Sequence, residues 1–355
     1  MSDIISAKEA LDTLTRGQSS WLDVRSEGEF ASACVPGFRN TPILTNQERH
    51  EVGLCYRQKG QEAAIALGHR LVDPVREERV DAWLRHCSED KAIAVACWRG
   101  GLRSQIASAW MRERGRAVQR IQGGYKALRQ ELLAQLESKR SFLVLTGFTG
   151  SGKSRLLQEL PSSLVLDLET FAQHRGSSFG AMPEHPQPTQ TNFENQIALH
   201  LRSCHESPLI EDESRVVGSL HLPEAIFTGL AQSPVIRLHV SLEERCQNIY
   251  QEYVAQRLAA GIDPLALREE LIQSTMKLKN RLGGLLSSQI KSGIEQAFAT
   301  QDPTAHELWI GLLLRQYYDV SYQHAEGRSQ RPILFEGNYK ECLVWIQNRF
   351  ASQKL

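Results

Sequence analysis

The sequence predicts an α/β fold in two domains, each built on a parallel sheet, the second carrying a long helical region. Two observations predict it. Short apolar runs alternate with stretches of helical periodicity, the pattern of strands joined by crossover helices. Two strand–loop–helix junctions then occur about fifty residues apart, one around Cys97 and one at residues 147–154, so each domain has a loop of its own. With 355 residues the chain has room for both.

In chain order, residues 6–15 place Ala7, Ala10, Leu11 and Leu14 at helical spacing, and 21–25 read as a strand ending in charges. A turn-rich connection over 33–43 leads to a further strand. Residues 46–71 read as interrupted helix and 75–87 as a second helix with Val80, Trp83 and Leu84 on one side. Then come the apolar strand Ala92–Ala96, a helix to Arg114, a strand over 117–121 and the closing Gly123-Gly124-Tyr125. An amphipathic helix over 126–139 connects the halves. The expected boundaries are 1–130 for the first domain, 131–140 for the connection and 141–355 for the second domain. That domain starts with a strand at 141–146 and a helix from 155. A strand over 164–168 carries Asp167 and Glu169, and 174–192 is a polar, Pro-rich loop. Strands follow at 208–210 and 235–240. A helical region over about 242–325 breaks near Gly283-Gly284 and Asp302-Pro303, before a last strand at 332–335 and a last helix at 340–350.

The 41 basic and 41 acidic side chains balance, so net charge argues for neither nucleic acid nor membrane as a partner. A nucleic acid would need only a local basic patch, and two candidates are Arg112, Arg114, Arg116 and Arg120, or Lys277, Lys279 and Arg281. No apolar run approaches the ~20 residues of a membrane span. The first ten residues carry Asp3, Lys8 and Glu9 and lack the apolar region of a signal peptide. The seven cysteines (34, 55, 87, 97, 204, 246, 342) are widely spaced with no C-x-x-C. Together these predict a cytoplasmic protein with free thiols, neither a disulfide frame nor a zinc site. All but Cys97 read as small buried hydrophobes.

Cys97 ends an apolar strand, and Trp98 to Arg103 can wrap round it with amides turned inward. Gly100 and Gly101 let the backbone close that tightly. A helix starts at Leu102 and points its N-terminus at the sulfur. Inward amides, helix dipole and Arg103 are together expected to hold Cys97 as a thiolate. The C-x5-R spacing suits two chemistries: attack on a phosphate ester, or sulfur or selenium transfer through a persulfide or perselenide. The second loop, Gly147-Phe148-Thr149-Gly150-Ser151-Gly152-Lys153-Ser154, is a complete G-x-x-x-x-G-K-S between a strand and a helix. Its amides cradle an oligophosphate, Lys153 neutralises it and Ser154 could ligate Mg²⁺. It reads phosphates and does not say whether they belong to a nucleotide. Asp167 and Asp212, each ending an apolar strand, are the candidate second acids.

Leu22-Asp23-Val24-Arg25, Val35-Pro36-Gly37, the Cys97 loop and Gly123-Gly124-Tyr125 resemble a rhodanese domain, in the right order. Fused to a P-loop domain, the whole resembles the tRNA 2-selenouridine synthase family. Ala66-Leu67-Gly68-His69, Asp167-Leu168-Glu169, the run from His174 to Gly180 and Glu211-Asp212-Glu213-Ser214-Arg215 extend the match. The resemblance implies a rhodanese-like N-terminal domain and a transferase acting on the wobble uridine of tRNA, already a 5-substituted 2-thiouridine. Geranyl diphosphate would alkylate the sulfur, and selenium from selenophosphate would then displace it. It implies no obligatory cofactor and no structural metal; Mg²⁺ is admitted, and an enzyme supplying selenophosphate is a candidate partner. On this reading Cys97 is the covalent selenium carrier, with Arg99, Gly100, Gly101 and Arg103 forming its anion pocket. Gly147, Gly150, Ser151, Gly152, Lys153 and Ser154 take the diphosphate, and Gly68 lines the geranyl path. His174, Arg175, Ser214 and Arg215 are further substrate contacts. A rhodanese-type sulfurtransferase fused to a P-loop kinase or NTPase is the alternative.

Overall fold

A computed structural model describes residues 3–177, 179–180, 185–300, 302–327 and 330–352. The chain divides into two compact units, Met1–Ser138 with Pro188–Ser203, and Lys139–Gln187 with Cys204–Leu355.

The first unit holds a five-stranded sheet of β1 (Ile4–Ile5), β2 (Ser19–Asp23), β3 (Arg39–Asn40), β4 (Ala92–Ala96) and β5 (Val118–Ile121), in the order β1-β5-β4-β2-β3. Its pairings are all parallel. β4 lies in the middle, which is why its sequence is apolar throughout: a strand flanked on both edges and covered on both faces has no solvent-facing side chains. Leu22, Val24, Ala107 and Met111 pack with its Val95. The interrupted helix expected over 46–71 is two helices, Asn46–Lys59 and Gln61–Val72. The break is Gly60, at φ +86°, a conformation L side chains rarely adopt. Thr45 starts the first of them with a capping box to Glu48.

The polar stretch expected to loop over 174–192 turns helical at its end. The helix Gln190–Ser203 returns to the first unit, against the helices Gly124–Glu137 and Ala7–Thr15. It is fastened by polar groups. Asn192 Oδ1 accepts the Cys34 amide at 2.7 Å, while fully buried Asn195 donates to Cys34 O (2.6 Å) and Tyr125 Oη (3.2 Å) and accepts from Arg129 (2.7 Å).

The second unit holds β6 (Leu143–Thr146), β7 (Val165–Leu166), β8 (Leu209–Glu211), β11 (Val235–Leu238) and β12 (Ile333–Gly337) in the order β12-β11-β6-β8-β7, again parallel. A separate hairpin pairs β9 (Val216–Val217) with β10 (Leu220–His221). The strand expected over 164–168 is cut to two residues. Asp167 is an N-cap whose carboxylate accepts from the Thr170 amide at 2.8 Å, and the chain continues as the helix Leu168–Ala172. The helical region from Leu242 forms its own core around Val254, Leu271, Ile294 and Trp309. Its expected breaks are present. Gly283 has φ +79°, and Asp302 caps the helix Pro303–Leu313. Among the described residues no helix is long and apolar enough to cross a membrane.

Candidate functional site

Each unit places its loop at the carboxyl end of the middle strand of its sheet, Cys97 after β4 and Gly147 after β6. In parallel α/β sheets that is where ligands bind. The two sites are described separately.

The Cys97 loop is clamped from the C-terminal side by the start of the helix Gly124–Glu137. The Tyr125 amide donates to Cys97 O at 2.8 Å and the Lys126 amide to Trp98 O at 3.0 Å. Close approach requires glycine on both sides. A Cβ on Gly100 (φ +67°) would meet Ile121 O at 2.8 Å, and one on Gly124 (φ +58°) would collide with Cys97 O. Cys97 is 3% exposed. Its S–H reaches Ser104 Oγ at 3.3 Å, and that hydroxyl donates to Gly101 O at 2.9 Å. The helix Leu102–Glu113 starts at Gly101 with no side-chain cap, leaving its first amides open.

Arg103 is shared. Its guanidinium donates to both oxygens of Glu29, at 2.7 and 3.2 Å. Burial alone would raise the Glu29 pKa, but Arg103, the Ser26 amide and Arg49 override it and lower it to about 2. Behind the loop, Arg25 is fully buried on the Asp23 carboxylate (2.6 Å) and lies 4.0 Å from the centroid of the Tyr125 ring. Tyr125 in turn stacks on Trp98 at 5.6 Å. The Leu22–Arg25 run thus ends in a buried ion pair supporting an aromatic pair, and Trp98 remains 40% exposed. Arg99 is exposed.

Beside this loop opens an apolar cleft of about 920 Å³. It is bounded by Trp98, Leu102 and Arg103 on one side and by Val52, Ile65 and Gly68 on the other. Gly68 lies inside the helix Gln61–Val72, and a Cβ there would meet nothing within 4 Å, so it faces open space.

In the second unit Lys153 Nζ donates to Gly147 O at 2.9 Å, and Ser154 Oγ donates to Glu169 Oε2 at 2.6 Å. Asn248 fastens Gly150 O at 2.9 Å. Ser151 Oγ is buried with no hydrogen-bond partner. Neither candidate acid is free to serve the loop. Asp167 caps a helix, and Asp212 accepts from Thr146 (2.8 Å) and, through both oxygens, from Arg331 (2.9 and 2.7 Å). The acids beside Lys153 and Ser154 are Glu169 and Glu213, with Glu211 behind them. Burial, then the neighbouring carboxylates, pushes Glu211 well above the usual carboxylate range. Burial and Glu169 push Glu213 up to about 8, partly opposed by Lys153. Among the described residues no three His, Cys, Asp or Glu side chains are grouped to hold a metal. Thr149 also borders a narrow apolar recess lined by Phe179, Ile249, Tyr253, Leu313 and Tyr318.

A family model described as "tRNA 2-selenouridine synthase AAA domain" matches residues 140–353, and one described as "Rhodanese-like domain" matches 6–131. A tRNA 2-selenouridine synthase of Shewanella loihica is 40% identical, over 98% of this chain and 97% of its own length. The chain belongs to the tRNA 2-selenouridine synthase family. A synthase of Shewanella oneidensis is 36% identical over 97% of this chain and 96% of its own length. Among solved structures, a rhodanese-related protein of Thermoplasma volcanium is 20% identical over 37% of this chain and 93% of its own, with a TM-score of 0.24.

In this member of the tRNA 2-selenouridine synthase family the expected residues divide into two groups. Cys97, Gly100, Gly101, Arg103 and the cleft residue Gly68 gather in the first unit, and the whole phosphate loop in the second. Of four others, three have side-chain partners of their own. Arg175 is held by Glu252, through its carbonyl (3.0 Å) and its carboxylate (3.2 Å), and Arg215 by Glu224 (2.7 Å). Ser214 donates to Val216 O at 2.7 Å. His174 is half-buried with an unpartnered Nδ1, and burial, then Lys277, lowers its pKa. Ser178 lies outside the described residues. Of the basic clusters, Arg112 pairs with Asp3, Arg114 with Glu77 and Asp81, and Arg116 with carbonyls of Ser88 and Lys91. Lys277 and Lys279 are exposed. Sequence reasoning missed Glu29, Glu169 and Ser104 as site residues. Ser104 was within reach, seven residues after Cys97 on the first turn of the helix.

Proposed function

We propose that this chain is an enzyme acting on tRNA that converts a 5-substituted 2-thiouridine at the wobble position to 2-selenouridine. A geranyl group first passes from geranyl diphosphate to the base sulfur, and selenium from selenophosphate then replaces the geranylated sulfur. The full-length relatives, tRNA 2-selenouridine synthases by name, support the tRNA reading. The observation that carries the two-step chemistry is the apolar cleft whose rim is formed by Trp98, Leu102 and Arg103 of the Cys97 loop. A loop that only passed sulfur between small anions would have no use for an apolar volume of about 920 Å³ beside it. An S-alkylated base needs one.

In the second unit the amides of residues 147–153 and Lys153 bind the diphosphate and hold the charge it gains as the C–O bond breaks. Transfer to the base sulfur removes the N3 proton, so the product carries C2=N3 and a thioether at C2, a far better leaving group than the thione. In the first unit the cleft takes the geranyl chain, Trp98 offers an exposed face on which the base stacks, and the open amides with Arg103 bind the selenophosphate anion. Selenium adds at C2 and geranylthiolate leaves.

The test is incubation of the protein with thiolated tRNA, geranyl diphosphate and selenophosphate, followed by mass spectrometry of the nucleosides. The S-geranyl nucleoside should appear with the first donor alone and 2-selenouridine with both. ATP turnover with geranyl diphosphate left intact would instead establish a kinase or NTPase.

A further inference from the structure

Replacement of sulfur by selenium leaves one piece of chemistry unassigned. Selenium enters as selenophosphate, already bonded to phosphorus, and must leave as a bare selenone. Selenium has the same oxidation level in both, so the exchange needs no electrons. A Cys97 perselenide would hold selenium two electrons poorer, and release from it would require a reductant. We propose instead that Cys97 is the acceptor of the phosphoryl group that the selenium brings, so that the loop performs a dephosphorylation inside the exchange. This rests on the function proposed above.

The balance closes without any further reagent. After geranylthiolate has left, the base carries C2–Se–PO₃²⁻. The Cys97 thiolate attacks phosphorus, the P–Se bond breaks, and its electron pair stays on selenium. The base then takes a proton at N3 and is 2-selenouridine. Water next attacks phosphorus on the cysteine, the S–P bond breaks, the thiolate returns, and inorganic phosphate leaves with the proton.

Four features of the loop fit this step. Its spacing from Cys97 to Arg103 is C-x5-R, one cation per phosphoryl dianion. The helix starting at Gly101 has no side-chain cap, so its first amides are available to an anion's oxygens. Cys97, a residue only 3% exposed, suits a small tetrahedral group rather than a planar base. Ser104, 0% exposed, sits 3.3 Å from the sulfur with its proton directed to Gly101 O. When the sulfur becomes the leaving group in the hydrolysis, that hydroxyl can turn and donate to the forming thiolate. A selenium carrier needs no such donor.

The full chain is incubated with an anticodon stem-loop carrying S-geranyl-2-thiouridine and selenophosphate labelled with ³²P or ⁷⁵Se, and stopped in denaturant. We expect ³²P on the protein at Cys97 and none on Cys97→Ala, with no ⁷⁵Se retained. In Ser104→Ala the ³²P label should persist about tenfold longer, the loss of one hydrogen bond to a charged sulfur. Retention of ⁷⁵Se at Cys97, formation of 2-selenouridine with no ³²P on the protein, or an unchanged label lifetime in Ser104→Ala overturns the proposal. If no 2-selenouridine forms at all, the function beneath it fails instead.

Discussion

Glu29 decides what Arg103 can do at the Cys97 loop. Its carboxylate is held ionised by Arg103 and its neighbours, with a pKa of about 2 against 4.5 when free. A lowered carboxylate pKa stabilises the fold above the unfolded value, and that contribution is lost as pH falls from 4.5 towards 2. Glu29→Gln should therefore cost about 1–2 kcal/mol at pH 7, solvent screening reducing the full shift, and the gap in melting temperature from the parent should narrow below pH 4.5. Glu213 has the opposite sign. Its pKa rises from 4.5 to about 8, so folding opposes its charge and the penalty grows as pH rises through that window. Glu213→Gln should melt higher than the parent at pH 8.5 and no higher at pH 4.5; equal melting at both would remove the buried-carboxylate account. At this scale the sequence was half legible. Cys97, Arg103 and Lys153 announce themselves by spacing. Glu29 and Glu169 do not, because what places them is a contact across 74 residues and another across 15.

Elements were legible where periodicity was long and strong. β4, β6 and the helices after their loops lie where the apolar runs place them, and glycine breaks such as Gly283 do too. What failed was short or cooperative. The strand over 164–168 lost its end because Asp167 prefers to cap a helix. The helix Gln190–Ser203 gave no warning that it packs on the first unit, since the choice rests on single polar contacts. Asn195, itself fully buried, makes three of them. Asn195→Leu would leave Cys34 O, Tyr125 Oη and Arg129 short of partners, and should destabilise the first unit by about 2–4 kcal/mol. Hydrogen exchange should show faster opening in the helix Gly124–Glu137 with little change around β6. Uniform loosening of both units, or none, would contradict this.

For the whole molecule, two parallel sheets each present one functional loop after a middle strand, and each loop has the chemistry for one half of a reaction. In the proposed reaction the phosphate loop activates a sulfur by alkylation and the cysteine loop removes it in exchange for selenium. The family of the chain was readable because both loops are short motifs held by backbone geometry, which sequence spacing records directly. The cleft beside Cys97 was not readable, since residues from four elements line it and, of these, only Gly68 reads in the sequence as part of a geranyl path. The direct test of this division of labour is nucleoside mass spectrometry of thiolated tRNA after reaction with Cys97→Ala and with Lys153→Ala, both donors present. Cys97→Ala should still geranylate the base but make no 2-selenouridine, stopping at the Se-phosphorylated base, while Lys153→Ala should lose geranylation by about a hundredfold yet still convert tRNA geranylated beforehand. Loss of both steps in folded Cys97→Ala, or 2-selenouridine from it, would contradict the account.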